Sequence, residues 1–188
     1  YNEPCVLGLP ALRVSVTSQA LASVSLVRHH PSVRLLHFSG YDWWVKRSTD
    51  LVGPGPNFFS VSTNNVWVDA LGQLHLKITS NLDRWECAEI VSDRSFGYGS
   101  YRFELVSDVD ALDPRAVLGL FTWSDSPVDA HREIDIECSR WADTRDTNNA
   151  QMVVQPWDIT GHLLRYRVPP GIGTTTHAFN WETNRVTF

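Results

Sequence analysis

The sequence predicts an all-β protein, specifically a β-sandwich of the jelly-roll type in which a concave sheet forms a cleft. Three observations predict this class. Short segments alternate apolar and polar residues, clusters of turn-forming residues separate them, and no segment after residue 38 shows the 3.6-residue period of an amphipathic helix. Many short strands at even spacing are typical of sandwiches and jelly rolls.

The individual strands are predicted in chain order from these patterns. Residues 74–79 alternate after the turn "ALGQ", and residues 101–105 alternate after the glycines at 97 and 99. The run "VLGLFTW" (117–123) is almost wholly apolar, as in a strand covered on both faces. The segment 164–168 alternates again, with Leu164, Tyr166 and Val168 expected on the buried face. The segments "VGPGPN" and "PPGIG" are loops by composition.

The N-terminal residues 1–37 differ from the rest of the chain. They contain one acidic residue, Glu3, show little alternation, and include a His-His-Pro patch that is expected to be a solvated loop more often than a metal site. We therefore expect an N-terminal extension of uncertain order (residues 1–37) before a single domain (residues 38–188). The sequence ends on "NRVTF", which resembles the middle of a strand, so C-terminal truncation of that domain is also expected.

The composition excludes several classes of partner. The 188 residues are 43% hydrophobic and 20% charged, with a net charge of −5. No Lys/Arg run is long enough to indicate nucleic-acid or anionic-membrane binding, and no apolar stretch approaches the ~18 residues of a membrane span. We expect a monomer that binds neither nucleic acid nor membrane.

The three cysteines, Cys5, Cys87 and Cys138, have no metal-binding spacing and form no disulfide framework. Cys5–Cys87 is the one pairing considered. Cys138 shares the apolar face of an alternating segment with Ile134 and Ile136, so it is predicted to pack in the core. No metal site is predicted from these residues.

The octet "HREIDIEC" (residues 131–138) contains three carboxylates at alternate positions: Glu133, Asp135 and Glu137. On a strand, alternation sends all three to one face and the isoleucines to the other. The outer two Cα atoms would lie about 13 Å apart. Leaning side chains can shorten the distance between carboxyl groups enough for either the retaining or the inverting geometry of glycosidases.

Neighbouring carboxylates cannot all ionise easily, so the pKa of at least one should rise. A carboxylic acid that stays protonated near neutral pH can protonate a leaving oxygen while an ionised neighbour attacks carbon. A solvated acidic strand and a Ca²⁺ site are the alternatives, although calcium usually draws on loop oxygens and carbonyls that a regular strand does not offer.

The residues around this octet resemble glycoside hydrolase family 16, the lichenase and laminarinase group. The likeness consists of "GLFTW" before "EIDIE", the upstream segment "CAEIVSDRSFGYGSYRFEL", and "THAFNWETNRVTF" near the end, and it spans residues 38–188. The family's signature is E-x-D-x-E or E-x-D-x-x-E on one strand of a jelly roll. The family continues for further strands beyond the position of Phe188.

The resemblance implies a role for each carboxylate. Glu133 corresponds to the nucleophile, Glu137 to the general acid/base, and Asp135 to a residue that hydrogen-bonds and tunes the nucleophile. The reaction implied is a double displacement through a covalent glycosyl-enzyme, with retention of configuration. The E-x-D-x-E form is the one that lichenases carry, which favours mixed-linkage β-1,3-1,4-glucan over β-1,3-glucan as substrate.

Substrate-binding residues are also implied by the resemblance. Phe121 and Trp123 match an aromatic pair on the preceding strand, and Trp123 is the main candidate for stacking a glucosyl ring, with a core role as its alternative. Two further positions are implied by the resemblance: Glu89 as a cleft carboxylate and His131 beside the nucleophile. From their places in the sequence, Trp141 just past the octet is expected at the cleft rim or in a turn, and Asn57 after the "GPGP" loop on a sugar hydroxyl or, as the favoured alternative, in a turn.

The function expected is therefore that of a secreted endo-acting β-glucan hydrolase that acts on a polysaccharide. No cofactor is required, and a structural Ca²⁺ is compatible because some family members bind one. A non-catalytic carbohydrate-binding jelly roll is an alternative, disfavoured because all three carboxylates are present. A transglycosylase that uses the same residues is a second alternative, and it stays open.

Overall fold

The structure is a computed structural model that describes residues 12–15 and 34–188. Nearly all regular structure within these residues is β-strand, in several sheets, which confirms the predicted all-β class and is consistent with a sandwich. No helix in the described part is long and apolar enough to cross a membrane. The jelly-roll connectivity and the concave cleft stay predictions.

The strands are short, and two 3₁₀ turns (Val109–Ala111 and Ala130–Arg132) interrupt them. The strands are β1 (Leu12–Ser15), β2 (Arg34–Phe38), β3 (Tyr41–Val45), β4 (Phe58–Phe59), β5 (Val66–Val68), β6 (Leu74–Leu76), β7 (Thr79–Asn81), β8 (Arg84–Cys87), β9 (Ile90–Ser92), β10 (Gly99–Leu105), β11 (Leu118–Phe121), β12 (Ile134–Cys138), β13 (Ala150–Val154), β14 (Leu163–Tyr166), β15 (Thr175–Glu182) and β16 (Arg185–Thr187).

The chain divides into two compact units, each with its own sheets. Over the described residues, the first unit comprises 108–173 and Phe188, and the second comprises 12–15, 34–107 and 174–187. Most of the predicted N-terminal extension lies outside the described residues. Its described parts, β1 and β2, both pair within sheets of the second unit.

The largest sheet of the second unit has the order β16-β15-β10-β1-β6-β5, with antiparallel neighbours. The predicted alternation in β10 is confirmed, since Tyr101, Phe103 and Leu105 are buried while Arg102 is exposed. Tyr101 stacks on Phe179 of β15 with ring centroids 4.7 Å apart. Burial of alternate aromatic and aliphatic side chains therefore organises this sheet.

The first unit contains one antiparallel sheet of order β11-β12-β13-β14. Its buried residues include Leu120, Ile134, Ile136 and Cys138, so the predicted core position of Cys138 is confirmed. The unit's 3₁₀ turn at Val109–Ala111 is capped by the side chain of Asp108, which accepts a hydrogen bond from the backbone N–H of Asp110 at 3.0 Å.

Two strand predictions in this unit are corrected. Leu164 was expected on a buried face, but it is 63% exposed. It lies on β14, the edge strand of this sheet, where a side chain has a neighbouring strand on one side only. The strand predicted over 117–123 is shorter than its apolar run and ends at Phe121, with Val117 and Trp123 exposed at either end.

Candidate functional site

Asp135 and Glu137 lie on one face of β12, and Glu133 precedes the strand by one residue in extended conformation, at the position that alternation predicts for the same face. Asp135 pairs across the sheet with Phe121 on β11 and Val153 on β13. Glu137 pairs with Gly119 and Gln151 in the same two strands. Directly paired residues share a sheet face, so this row of partners surrounds the carboxylates. The intervening Ile134 and Ile136 are buried on the opposite face.

The chain enters β12 through an unusual left-handed turn. Four consecutive non-glycine residues, Asp129 to Arg132, have φ angles between 48° and 61°, a conformation that is unfavourable by roughly 1–2 kcal/mol per residue. The Thr122 hydroxyl donates to the Arg132 carbonyl at 2.8 Å and accepts from the Ile134 N–H at 3.0 Å. These hydrogen bonds hold the turn and fix where Glu133 begins the carboxylate row.

Asp135 is the most buried of the three carboxylates, with 4% of its surface exposed. Burial, followed by the negative charges of Glu133 and Glu137, raises the pKa of Asp135 to about 8. The raised pKa favours the protonated form of Asp135, which can donate a hydrogen bond to Glu133. The Gln155 amide approaches the other side of the carboxyl at 3.5 Å.

Glu133 and Glu137 are half-buried, and each has its own set of neighbours. Burial raises the pKa of Glu133, and the charge of Glu137 adds to this effect. The hydrogen bond from Asp135 and the proximity of His131 act in the opposite direction. Burial also raises the pKa of Glu137, whereas the hydrogen bond from Gln151 and the positive charge of Arg165 act to lower it.

A chain of hydrogen bonds supports Glu137 across three strands. The Gln151 amide donates to Glu137 at 2.6 Å, and the Arg165 guanidinium donates to the Gln151 amide oxygen at 2.9 Å. Arg165 is held in turn by Asp146 at 2.6 Å and by the Asn148 carbonyl at 3.2 Å. We name Glu137, Gln151, Arg165 and Asp146 the Glu137 relay.

Sequence reasoning missed Gln151, Gln155 and Arg165. The available signal was the segment "QMVVQ" (151–155), in which two glutamines four residues apart share a face of a mainly apolar strand. That pattern indicates polar contacts on one face of β13. The partners of these side chains depend on strand register, which the pattern does not contain.

Two aromatic residues accompany the carboxylates. Phe121 is the direct cross-strand partner of Asp135 and is half-buried. Trp123 is 53% exposed, so the alternative that placed it in the core is wrong. Its ring stacks on the His131 imidazole with centroids 4.2 Å apart and planes 8° apart. His131 Nδ1 also lies 2.9 Å from the Ser124 carbonyl oxygen, which fixes the imidazole.

Trp141 lies in a turn beyond the end of β12. Its φ angle is 51°, and its backbone N–H donates to the Ser139 hydroxyl at 2.9 Å. The indole itself is 48% exposed. Trp141 therefore lies in a turn, as one of its two alternatives had it, and its position at the rim of a cleft stays a prediction.

Glu89 and Asn57 belong to the second unit. Glu89 forms an ion pair with Lys46 at 2.8 Å, and burial raises its pKa despite this partner. The Asn57 amide donates to the Pro54 carbonyl at 2.8 Å, and its backbone pairs with Val52, as in the turn-forming alternative.

Metal-binding side chains are not grouped in the described part of the chain. Among residues 12–15 and 34–188, no group of three or more His, Cys, Asp or Glu side chains is arranged to hold a metal ion. The His-His-Pro patch and Cys5, with its predicted pairing to Cys87, lie outside the described residues.

Comparisons of the chain with protein-family models, curated proteins and solved structures found no match.

Proposed function

We propose that the protein is an endo-acting β-glucan hydrolase of the glycoside hydrolase family 16 type, which cleaves a mixed-linkage β-1,3-1,4- or β-1,3-glucan with retention of configuration. The observation that carries this proposal is the position of Asp135, which is buried between the two glutamates. Burial and the two neighbouring carboxylates raise the pKa of Asp135 to about 8, which favours its protonated form and lets it donate a hydrogen bond to Glu133. This arrangement gives the two glutamates different environments, as acid/base catalysis at a sugar requires.

Glu133 is the nucleophile in this proposal. Its carboxylate attacks the anomeric carbon and forms a covalent glycosyl-enzyme while the glycosidic C–O bond breaks. The hydrogen bond from Asp135 stabilises the ionised form of Glu133 before attack. In the second step, water attacks the same carbon and Glu133 leaves as a carboxylate.

Glu137 is the general acid and then the general base. Its raised pKa favours the protonated form needed to donate a proton to the leaving oxygen. After the leaving group departs, the Glu137 carboxylate accepts a proton from the attacking water. The Glu137 relay orients this carboxyl, since Gln151 is itself held by Arg165.

Trp123 supplies an aromatic platform in this proposal. Stacking on His131 fixes the orientation of the indole, and more than half of the surface of Trp123 remains exposed to solvent, where a sugar ring can pack against it. The residues proposed for catalysis and stacking therefore come from β12, from the residue just before it, and from the segment that follows β11. The proposal includes secretion and requires no cofactor.

The test is a reducing-sugar release screen on lichenan, laminarin, xyloglucan, agarose and carrageenan, with Glu133→Gln as the matched inactive variant. Glu133→Gln removes the nucleophile, so we expect kcat to fall by at least about 10³-fold. Stability should hold or rise, because a repelling charge is lost. Thermal unfolding of the variant checks this.

The anomeric form of the first product, followed by proton NMR, tests retention. Appearance of the β-anomer before mutarotation supports the double displacement, and the α-anomer contradicts it. Product elongation without reducing-sugar release would identify a transglycosylase. Binding of glucan with no turnover by the wild-type protein would identify a carbohydrate-binding protein.

A further inference from the structure

A second candidate site lies entirely within the second unit. A cavity of about 1240 Å³ is bounded by β4, β5, β7 and β8 and by the loop that runs from residue 60 to residue 65. This open groove is not smaller than the roughly 300–1,000 Å³ typical of ligand sites. We name it the β4–β8 groove.

The orientation of one aromatic side chain in the groove, Trp67, is fixed by a stacked and hydrogen-bonded neighbour. The Trp67 indole stacks on the His75 imidazole with centroids 4.4 Å apart and planes 7° apart. His75 Nε2 lies 2.9 Å from Asp69 Oδ2, and the same Asp69 side chain accepts from the N–H groups of Leu71 and Gln73. A preoriented indole loses little conformational entropy when a sugar packs against it.

The lining also carries uncompensated positive charge. Arg84 is paired with Glu86 at 2.8 Å, which neutralises both groups. Arg47 and Lys77 line the same cavity, and neither side chain makes a hydrogen bond or ion pair to the portion of the chain that the structure covers. Arg47 and Lys77 therefore line one groove as cations with no partner among the described residues, in a protein whose net charge is −5.

The remaining lining is rich in hydroxyl and amide groups. Thr63, Asn64 and Ser80 line the groove, and their side chains make no hydrogen bond to residues 12–15 or 34–188. Such groups can donate to and accept from the hydroxyls of a sugar. Hydroxyl and amide groups, one fixed indole, and the side chains of Arg47 and Lys77 are together the chemistry that suits an acidic saccharide.

We propose that the β4–β8 groove is a non-catalytic binding site for an acidic oligosaccharide that carries carboxylate or sulfate groups. Arg47 and Lys77 bind the anionic groups, Trp67 packs against a sugar ring, and Thr63, Asn64 and Ser80 bind hydroxyls. Single-stranded nucleic acid is disfavoured because the groove presents one fixed indole, whereas binding of a strand uses several aromatic side chains on which successive bases stack. The proposal does not depend on hydrolysis by the carboxylate site.

The test measures binding by isothermal titration calorimetry in the Glu133→Gln background, which prevents cleavage of the probes. Four probes are compared at low salt: an oligogalacturonate, a sulfated galactan oligosaccharide, a neutral gluco-oligosaccharide of equal length, and a single-stranded DNA oligonucleotide. The test variant is Arg47→Gln with Lys77→Gln. Arg145→Gln with Arg185→Gln, two exposed arginines outside the groove, is the charge-matched control.

We expect at least one acidic saccharide to bind, and its affinity to fall by at least about tenfold in the groove variant, as for the loss of two charge-assisted contacts. The control variant should bind like its parent. The two acidic probes show whether carboxylate or sulfate is preferred. Unchanged thermal unfolding in both double variants checks that they fold.

Three results would overturn the proposal: no binding of either acidic probe, an equal loss of affinity in the control variant, or binding of the DNA oligonucleotide that is tighter than binding of both acidic saccharides. Trp67→Phe provides a second readout, since it keeps an aromatic ring but reduces its area. Unchanged saccharide affinity in this variant would contradict the role of Trp67. None of these outcomes bears on glucan cleavage, which the reducing-sugar screen measures separately.

Discussion

At the scale of single residues, Asp135 shows how burial changes the chemistry of a carboxyl group. Its pKa is about 8 in the folded protein and near 3.9 in an unfolded chain. Between these values the folded state holds a proton that the unfolded state has lost. The contribution of Asp135 to stability is therefore full below pH 4 and declines as the pH rises toward 8.

Asp135→Asn should remove this pH dependence. The stability of the variant relative to the wild-type protein should increase between pH 4 and pH 8, at up to about 1.4 kcal/mol per pH unit. Denaturant unfolding at several pH values measures this difference. Asp158→Asn, an exposed position in the same unit, is the control and should show no such trend.

The same substitution should also alter catalysis. An asparagine side chain cannot present the same hydroxyl donor to Glu133, so we expect kcat to fall by roughly 10–100-fold, less than in Glu133→Gln. The pH–rate profile should change shape because one coupled carboxyl is gone. A profile identical to that of the wild-type protein would contradict the tuning role of Asp135.

Trp123 is the second residue whose role can be isolated. Because its indole is exposed and stacks on His131, Trp123→Ala should weaken substrate binding and leave the core intact. We expect KM to rise by about tenfold, as for loss of roughly 1.4 kcal/mol of stacking. Trp157→Ala, another exposed tryptophan of the first unit, is the control. An unchanged KM in Trp123→Ala would exclude stacking.

At the scale of secondary-structure elements, the register of three strands creates the Glu137 relay. Glu137 on β12 is paired with Gln151 on β13, which is paired with Arg165 on β14. A shift of one residue in either pairing would turn these side chains to opposite faces. The polar row across the sheet therefore depends on the register of both pairs at once.

Gln151→Leu should move the alkaline limb of the pH–rate profile. The Gln151 amide donates to the Glu137 carboxylate and lowers the pKa of Glu137, so its loss should raise that pKa. Glu137 would then stay protonated to a higher pH, and we expect the alkaline limb to shift upward by about one unit, as for one charged hydrogen bond.

The matched control for this prediction is Gln155→Leu. Gln155 lies on the same strand face but approaches Asp135 rather than Glu137, so the alkaline limb should not shift. Equal shifts in both variants would mean that general polarity, rather than the relay, sets the pKa of Glu137.

At the scale of the whole molecule, each unit contains a fully buried asparagine. Asn149 donates to the Val168 carbonyl at 2.9 Å and to Asp110 at 3.0 Å, and it accepts from the Val168 N–H at 2.7 Å. Asn65 of the second unit donates to the Lys77 and Glu86 carbonyls at 3.0 and 3.1 Å. Each amide satisfies backbone groups that would otherwise be buried without partners.

Asn149→Leu should therefore destabilise the protein strongly. The Val168 N–H and carbonyl would lose their partner, and we expect the free energy of unfolding to fall by about 2–4 kcal/mol. Denaturant unfolding measures this change. Asn148→Leu, next in sequence but less buried, should change stability by less than about 1 kcal/mol. Similar losses in both variants would contradict a specific role for the Asn149 amide.

Local backbone geometry explains why some features were predictable from the sequence. Side chains of a strand alternate between two faces whatever the strand packs against. The sequence was therefore sufficient to predict the all-β class, the shared face of Glu133, Asp135 and Glu137, the buried position of Cys138, and the alternation in β10.

Other features were decided only by the tertiary structure, because they depend on contacts between residues distant in the chain. Strand register paired Gln151 with Glu137, and burial with neighbouring charges raised the pKa of Asp135 to about 8. The edge position of β14 left Leu164 exposed, and the turn before β12 placed His131 against Trp123. Sequence periodicity specifies which face a side chain occupies, whereas its partners, its solvent exposure and its proton affinity are set by non-local packing.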